Sequence, residues 1–190
     1  MVFMGVSVVM PTVTVFHNLQ TVALIRIIAP PLHQARDIPF RFRHPAPGTG
    51  KEEHMVLTVE QAQTCLEEGF APWVKALNLT VEEISADHAV LSMPITDQLA
   101  RMGGIVSGQA LAAMADTSMV IACLGSFGEM RPIATTNLDT QFLRPGTGEC
   151  IRCDARIVRA GKALMFCQAT MIALPMDKPI ATATATFYCP

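Results

Sequence analysis

From Ser107 to Leu124 the chain reads SGQALAAMADTSMVIACL, a run of helix-forming residues that is apolar on every side. Such a helix has no polar face to turn to water, so it belongs inside the fold with other elements covering it. One residue in it then needs a reason. Asp116 sits among Ala, Met, Leu, Val and Ile, and an ionised carboxylate taken out of water costs several kcal/mol unless it is paired, hydrogen-bonded or put to use.

The flanking sequence supplies the cover. Thr58 followed three residues later by Gln61 is a capping box, and it opens a helix expected to run to about Leu77. Its apolar positions are Ala62, Cys65, Leu66, Phe70, Val74 and Leu77, with Gly69 and Pro72 weakening or bending it. Two strand-like stretches follow, LTVEEISAD and HAVLSMPI, joined at Asp87 and His88. A short polar segment, TDQLARMGG, leads to the buried helix. After it come IATTNLDTQFLRP, GECIRCDARIVRA, KALMFCQATMIAL and IATATATFYC, four strands separated by Gly and Pro turns. This order fits an α+β domain in which an antiparallel sheet wraps around one long central helix.

The first 54 residues have a different character. They carry four of the five histidines, many prolines and two interrupted apolar runs. Neither run reaches the roughly 18 residues of a membrane span, and no Lys or Arg precedes Arg26 as a secretory signal requires. Residues 1–54 are expected to be a poorly ordered N-terminal extension or a mis-assigned start, with PAPGTGKEEH as linker and the domain spanning residues 55–190. Their acid-poor, Arg-containing character is shared with organellar transit peptides.

Hydrophobic residues make up 51% and charged residues 16% of the chain, a balance expected where part of the surface is covered by another copy of the same protein. A formal net charge of −2 argues against nucleic-acid binding. The six cysteines lie in apolar or strand-like stretches without scaffold spacing, which suits reduced thiols and a cytoplasmic location. Cys150 and Cys153 form a C-x-x-C, but residues three apart on a strand face opposite ways, so no metal site is expected.

The helix is expected to start at Ser107-Gly108-Gln109. Its first amides lack partners inside the helix and carry the positive end of its dipole, so the N–H of Gly108 or Gln109 can polarise a docked carbonyl oxygen. Asp116 lies eight residues on, about 12 Å along the axis. It cannot easily serve a carbonyl held at the start of its own helix, but it can serve one held by the same helix of a second chain packed antiparallel. A homodimer or homotetramer with sites at the dimer interface follows.

GGIVSGQALAAMADTSM, with ATTNLDTQFLRPGTGECIRCDARIVRAGKALMFCQATM after it, resembles the hotdog-fold acyl-CoA thioesterases, specifically the phenylacetate-pathway (PaaI-like) branch. The resemblance covers about residues 58–188. That family starts the helix with His-Gly-Gly and carries a catalytic Asp nine residues after the His; here Ser107-Gly108-Gln109 occupies the signature, so the His and the second Gly are missing. The resemblance implies hydrolysis of an acyl-CoA, or less readily an acyl-carrier-protein thioester, without a cofactor. It makes Asp116 the general base or the nucleophile and the Gly108 amide the carbonyl polariser, with Gln109 beside it. Thr135 falls where relatives position water, with Asn137 nearby, and Ser107 and Arg101 fall at substrate-contacting positions, Arg101 replacing an Asn. Arg159 and Lys162, on the turn around Gly161, are candidates for the CoA phosphates. The acyl group is expected to pass residues such as Met114, Met119 and Phe142.

Other readings stay open at this stage. Asp116 could cap a break in the helix at Thr117-Ser118. The missing His and Gly suit a non-catalytic acyl-CoA sensor on the same fold. An enoyl-CoA hydratase needs a well-placed His, and beyond the extension the chain has only His88, expected on a strand ahead of the site helix and without a catalytic role.

Overall fold

The computed structural model describes residues 56–190; the extension and linker expected over residues 1–54 lie outside them. Helix α1, Val59–Gly69, starts as the capping box requires: Thr58 Oγ1 accepts from the Gln61 N–H, and Gln61 Oε1 accepts from the Thr58 N–H. The single helix expected to Leu77 is in fact two. Phe70 and Ala71 are extended, and Pro72 opens a four-residue helix α2, Pro72–Lys75. A proline disfavours helical backbone in the residue before it, so the chain breaks there rather than bends.

Strands β1, Thr80–Ile84, and β2, His88–Pro94, form a hairpin. The polar segment before the central helix is more ordered than its composition suggests. It contributes to a small hairpin of β3, Ala100–Arg101, and β4, Ile105–Val106, whose turn carries Gly103 and Gly104 at φ 91° and 69°. Helix α3 then runs without interruption over Gly108–Phe127 and closes on Gly128 in the left-handed region. Strands β5, Ala134–Phe142, β6, Cys150–Ala160, β7, Leu164–Leu174, and β8, Lys178–Tyr188, follow.

Six strands make one antiparallel sheet in the order β1-β2-β6-β7-β8-β5. Helix α3 packs across it, against β6, β2 and β7 above all. Alternation along the strands sends Leu91, Met93, Ile151, Cys153, Met171 and Phe187 to the helix side, where they are fully buried. Each of these apart from Cys153 contributes about 1.5–3 kcal/mol by leaving water. By length and composition α3 could cross a membrane, yet 67% of its apolar window is buried inside the fold. It is the core of the domain.

Two features fix how α3 sits. At its end Gly125 lies so close to β1 that an added Cβ would stand 2.5 Å from the Ser85 carbonyl oxygen. Two residues before Gly125, Cys123 Sγ meets Cys167 Sγ of β7 at 3.5 Å, both buried and unoxidised. On β6, Cys153 is buried on the helix side while Cys150 is half-buried on the other face.

Candidate active site

The exposed and half-buried positions of the first part of α3 are Gly108, Gln109, Ala112, Ala113, Asp116 and Val120. They recur at three- and four-residue spacing, so they form one stripe, the side of the helix that the sheet leaves uncovered. Asp116 is at its centre. The helix does not break at Thr117-Ser118, so a break is not what Asp116 answers to. Instead the Thr135 hydroxyl donates to Asp116 Oδ1 at 2.9 Å, leaving Oδ2 with no protein partner among the described residues. Burial raises the Asp116 pKa above the usual aspartate value, and the Thr135 hydrogen bond pulls against that rise.

A bulge in β5 puts Thr135 there. Thr135 pairs with buried Phe187 and Asn137 pairs with Thr186, so Thr136 is the extra residue, its hydroxyl tied to the Thr186 carbonyl at 2.8 Å. Paired residues share a face. Thr135, Leu138, Thr140 and Phe142 therefore face α3, opposite Phe187, Ala185, Ala183 and Ala181, while Asn137, Asp139 and Gln141 face away. Asn137, two residues from Thr135 and grouped with it by sequence, stands on the opposite face of the strand. In a regular strand the two would share a side; the extra residue separates them.

The start of α3 is a second centre. The Ser107 side chain caps the helix, accepting from the Ala110 N–H at 3.3 Å, so its hydroxyl serves the helix. The N–H groups of Gly108 and Gln109 have no acceptor among the described residues. Beside them is a cavity of about 410 Å³ lined by Arg101, Ile105, Gly108, Leu111, Phe142 and Arg144 among others. The Phe142 ring lies directly over Gly108, with its Cζ 3.1 Å from where a Cβ would be. Phe142 was expected along the acyl path and lines this cavity. Met114 and Met119 do not: both are fully buried on the sheet side of α3, filling the core. Arg144, at the end of β5, was not singled out for this place. Nothing in the local sequence marks it, because Arg101 and Arg144 come to line one cavity only through the fold.

Arg159 and Lys162 stand apart from that cavity. The register runs Thr135, Phe187, Met165, Ala160 across β5, β8, β7 and β6, so their hairpin lies at the Thr135 end of the sheet, in a recess with Leu164 and Phe166. His88 is on the outer face of β2, with Nε2 3.4 Å from Asp154 Oδ1 and paired in register with Arg156. Its strand neighbours Ala89 and Leu91 face the core. It is turned away from Asp116. Among the described residues no group of three or more His, Cys, Asp or Glu is arranged to hold a metal.

Residues 96–188 match the family model described as the acyl-CoA thioesterase N-terminal domain. The fold, moreover, superimposes on solved thioesterases. A provisionally named thioesterase from Silicibacter sp. TM1040 aligns at TM-score 0.65 and 25% identity, covering 72% of this chain and 94% of its own. The chain has the hotdog fold of these thioesterases. The hotdog layout, a sheet curled around one helix, is also shared with the Escherichia coli PaaI protein of the phenylacetic acid degradation operon, at TM-score 0.60 and 20% identity over 69% of this chain and 91% of that one. A provisionally named esterase, Ta0293 of Thermoplasma acidophilum, is 28% identical over 95 residues, half of this chain and 70% of its own length. The helix start and the mid-helix carboxylate are held about 12 Å apart within one chain by the rise of α3.

Proposed function

We propose that this hotdog protein hydrolyses acyl-CoA thioesters as a homo-oligomer, with each site shared between two copies. The observation that carries the reading is the half-buried carboxylate of Asp116, held through Oδ1 by Thr135 with Oδ2 left open on the uncovered stripe of α3. Oδ2 takes a proton from water as the oxygen attacks the thioester carbon; the tetrahedral oxyanion collapses, the C–S bond breaks, and the proton passes to the departing thiolate. The carbonyl oxygen rests against the free Gly108 or Gln109 N–H of the partner copy, where the helix dipole favours the developing charge.

Two features support the shared site. Asp116 cannot reach the start of its own helix, and the stripe that carries it is apolar apart from Gln109. Strand β5, nine residues long and largely exposed, ends the sheet with open hydrogen-bonding groups, an edge that a second copy can extend. In this reading Arg159 and Lys162 meet the CoA phosphates at the mouth of the site, which their position at the Thr135 end of the sheet supports. Reduced buried thiols suit a cytoplasmic location.

One observation favours a different reading. The Phe142 ring sits over Gly108, and Ser107 and Gln109 replace the family's His and second Gly, as a non-catalytic acyl-CoA sensor would allow. Release of free thiol from a panel of short, medium, long and aryl acyl-CoAs separates the two. Turnover by the wild type that is lost in Asp116→Asn establishes the thioesterase; tight binding without turnover in both proteins establishes the sensor.

A further inference from the structure

The cavity at the start of α3 has a charge pattern that acyl hydrolysis alone does not require. Arg101, on the β3–β4 hairpin, and Arg144, just past the end of β5, both line the same 410 Å³ space. Neither has a carboxylate within 4.0 Å among the described residues. Arg144 spends one donor on the Pro179 carbonyl oxygen at 2.7 Å, which holds its side chain in place while the rest of the fork stays free. The positive end of α3 adds to the same field. Between these charges the walls are apolar, formed by Ile105, Leu111 and Phe142.

Resting on the thioesterase reading above, we propose that the preferred acyl group carries a carboxylate: the substrate is a short ω-carboxyacyl thioester, the half-thioester of a dicarboxylic acid. Its methylenes lie against Leu111 and Phe142, and its free carboxylate is received by Arg101 and Arg144. A planar guanidinium fork matches a carboxylate in two parallel hydrogen bonds, which a neutral acyl terminus cannot return. A CoA phosphate is the other anion to consider. It lies a full pantetheine arm away from the thioester, whereas Gly108, whose amide receives the carbonyl, lines this same cavity. Only a charge within a few carbons of the carbonyl can share that space with it.

The test compares glutaryl-CoA with valeryl-CoA, equal in carbon count and different in the terminal charge. Thiol release by the full chain is measured for the wild type, Arg101→Gln and Arg144→Gln. The expected wild-type kcat/KM ratio favours glutaryl by about ten-fold or more, and each substitution cuts that ratio by about ten-fold. The same ratios are expected with the matching pantetheine thioesters, which lack the nucleotide phosphates. A wild-type ratio near one, or a ratio that survives both substitutions, overturns the carboxylate pocket and leaves the thioesterase standing. Equal losses on glutaryl-CoA and valeryl-CoA, absent with the pantetheine thioesters, assign the arginines to CoA phosphates and likewise overturn it. If no thioester is hydrolysed, the thioesterase reading fails, and calorimetry with S-(4-carboxybutyl)-CoA and S-pentyl-CoA decides the pocket. Tighter binding of the carboxylated thioether that Arg101→Gln abolishes supports it; equal binding overturns it.

Discussion

Thr135 and Asp116, nineteen residues apart in the chain, are joined at 2.9 Å across the gap between the edge strand and the central helix. That bond orients one carboxylate oxygen and leaves the other for chemistry. It also sets the acidity of the group, because the hydroxyl favours the ionised form that burial disfavours.

Replacing Asp116 by Asn keeps the shape and removes the base. The kcat for thiol release should fall by about 10²–10⁴-fold with substrate binding largely retained, measured by steady-state kinetics and by titration with a thioether analogue. Stability should move the other way. The folded pKa of Asp116 lies above its unfolded value, so the ionised group disfavours the fold fully above the folded pKa and not at all below the unfolded one. The variant's Tm should therefore match or exceed the wild type's at neutral pH, with the difference closing in acid. A lower Tm at neutral pH would sink this account.

Thr135→Val removes the hydrogen bond and leaves burial unopposed. The Asp116 pKa then rises further, and since the ionised form is the active one, the acid limb of the kcat/KM profile moves to higher pH. Activity lost equally at every pH would mean that Thr135 does not act through the carboxylate.

If sites are shared, inactive copies can repair one another. Asp116→Asn lacks the base, and Gly108→Val closes the helix start, where Phe142 already leaves only 3.1 Å. A heterodimer of the two has one site with both parts intact. Random re-assortment of equal amounts after mild dissociation should restore about a quarter of wild-type activity. Continued inactivity, with heterodimers present by mass, would place each site within a single chain.

Gly125→Ala should destabilise the domain by about 1–3 kcal/mol without touching either centre. The new methyl would meet the Ser85 carbonyl oxygen at 2.5 Å and Ile84 Cγ1 at 2.9 Å, and backbone cannot step aside as a side chain can. Urea denaturation with an unchanged m-value checks it. A cost under about 0.5 kcal/mol would show that α3 tolerates a shift away from β1.

The sequence by itself determined a buried central helix starting at Ser107-Gly108-Gln109, with strands before and after it and a carboxylate in its middle. These are local properties: a helix apolar all round has nowhere to lie but inside, and strand period and turn residues act within a few positions of themselves. Gly69 and Pro72 marked a weak point there, but as a bend in one helix, where the chain in fact breaks into two. The tertiary structure alone decided which residues meet. A single extra residue at Thr136 sends Thr135 to the helix and Asn137 away from it, and no alternation in TTNLDTQF announces it. Met114 and Met119 became core because the sheet covers that face of α3. Arg101, Arg144 and Phe142 share one cavity because a hairpin, a strand end and a helix start converge there. Register and convergence are set by pairing between distant segments, and the free energy that fixes them exists only once those segments touch.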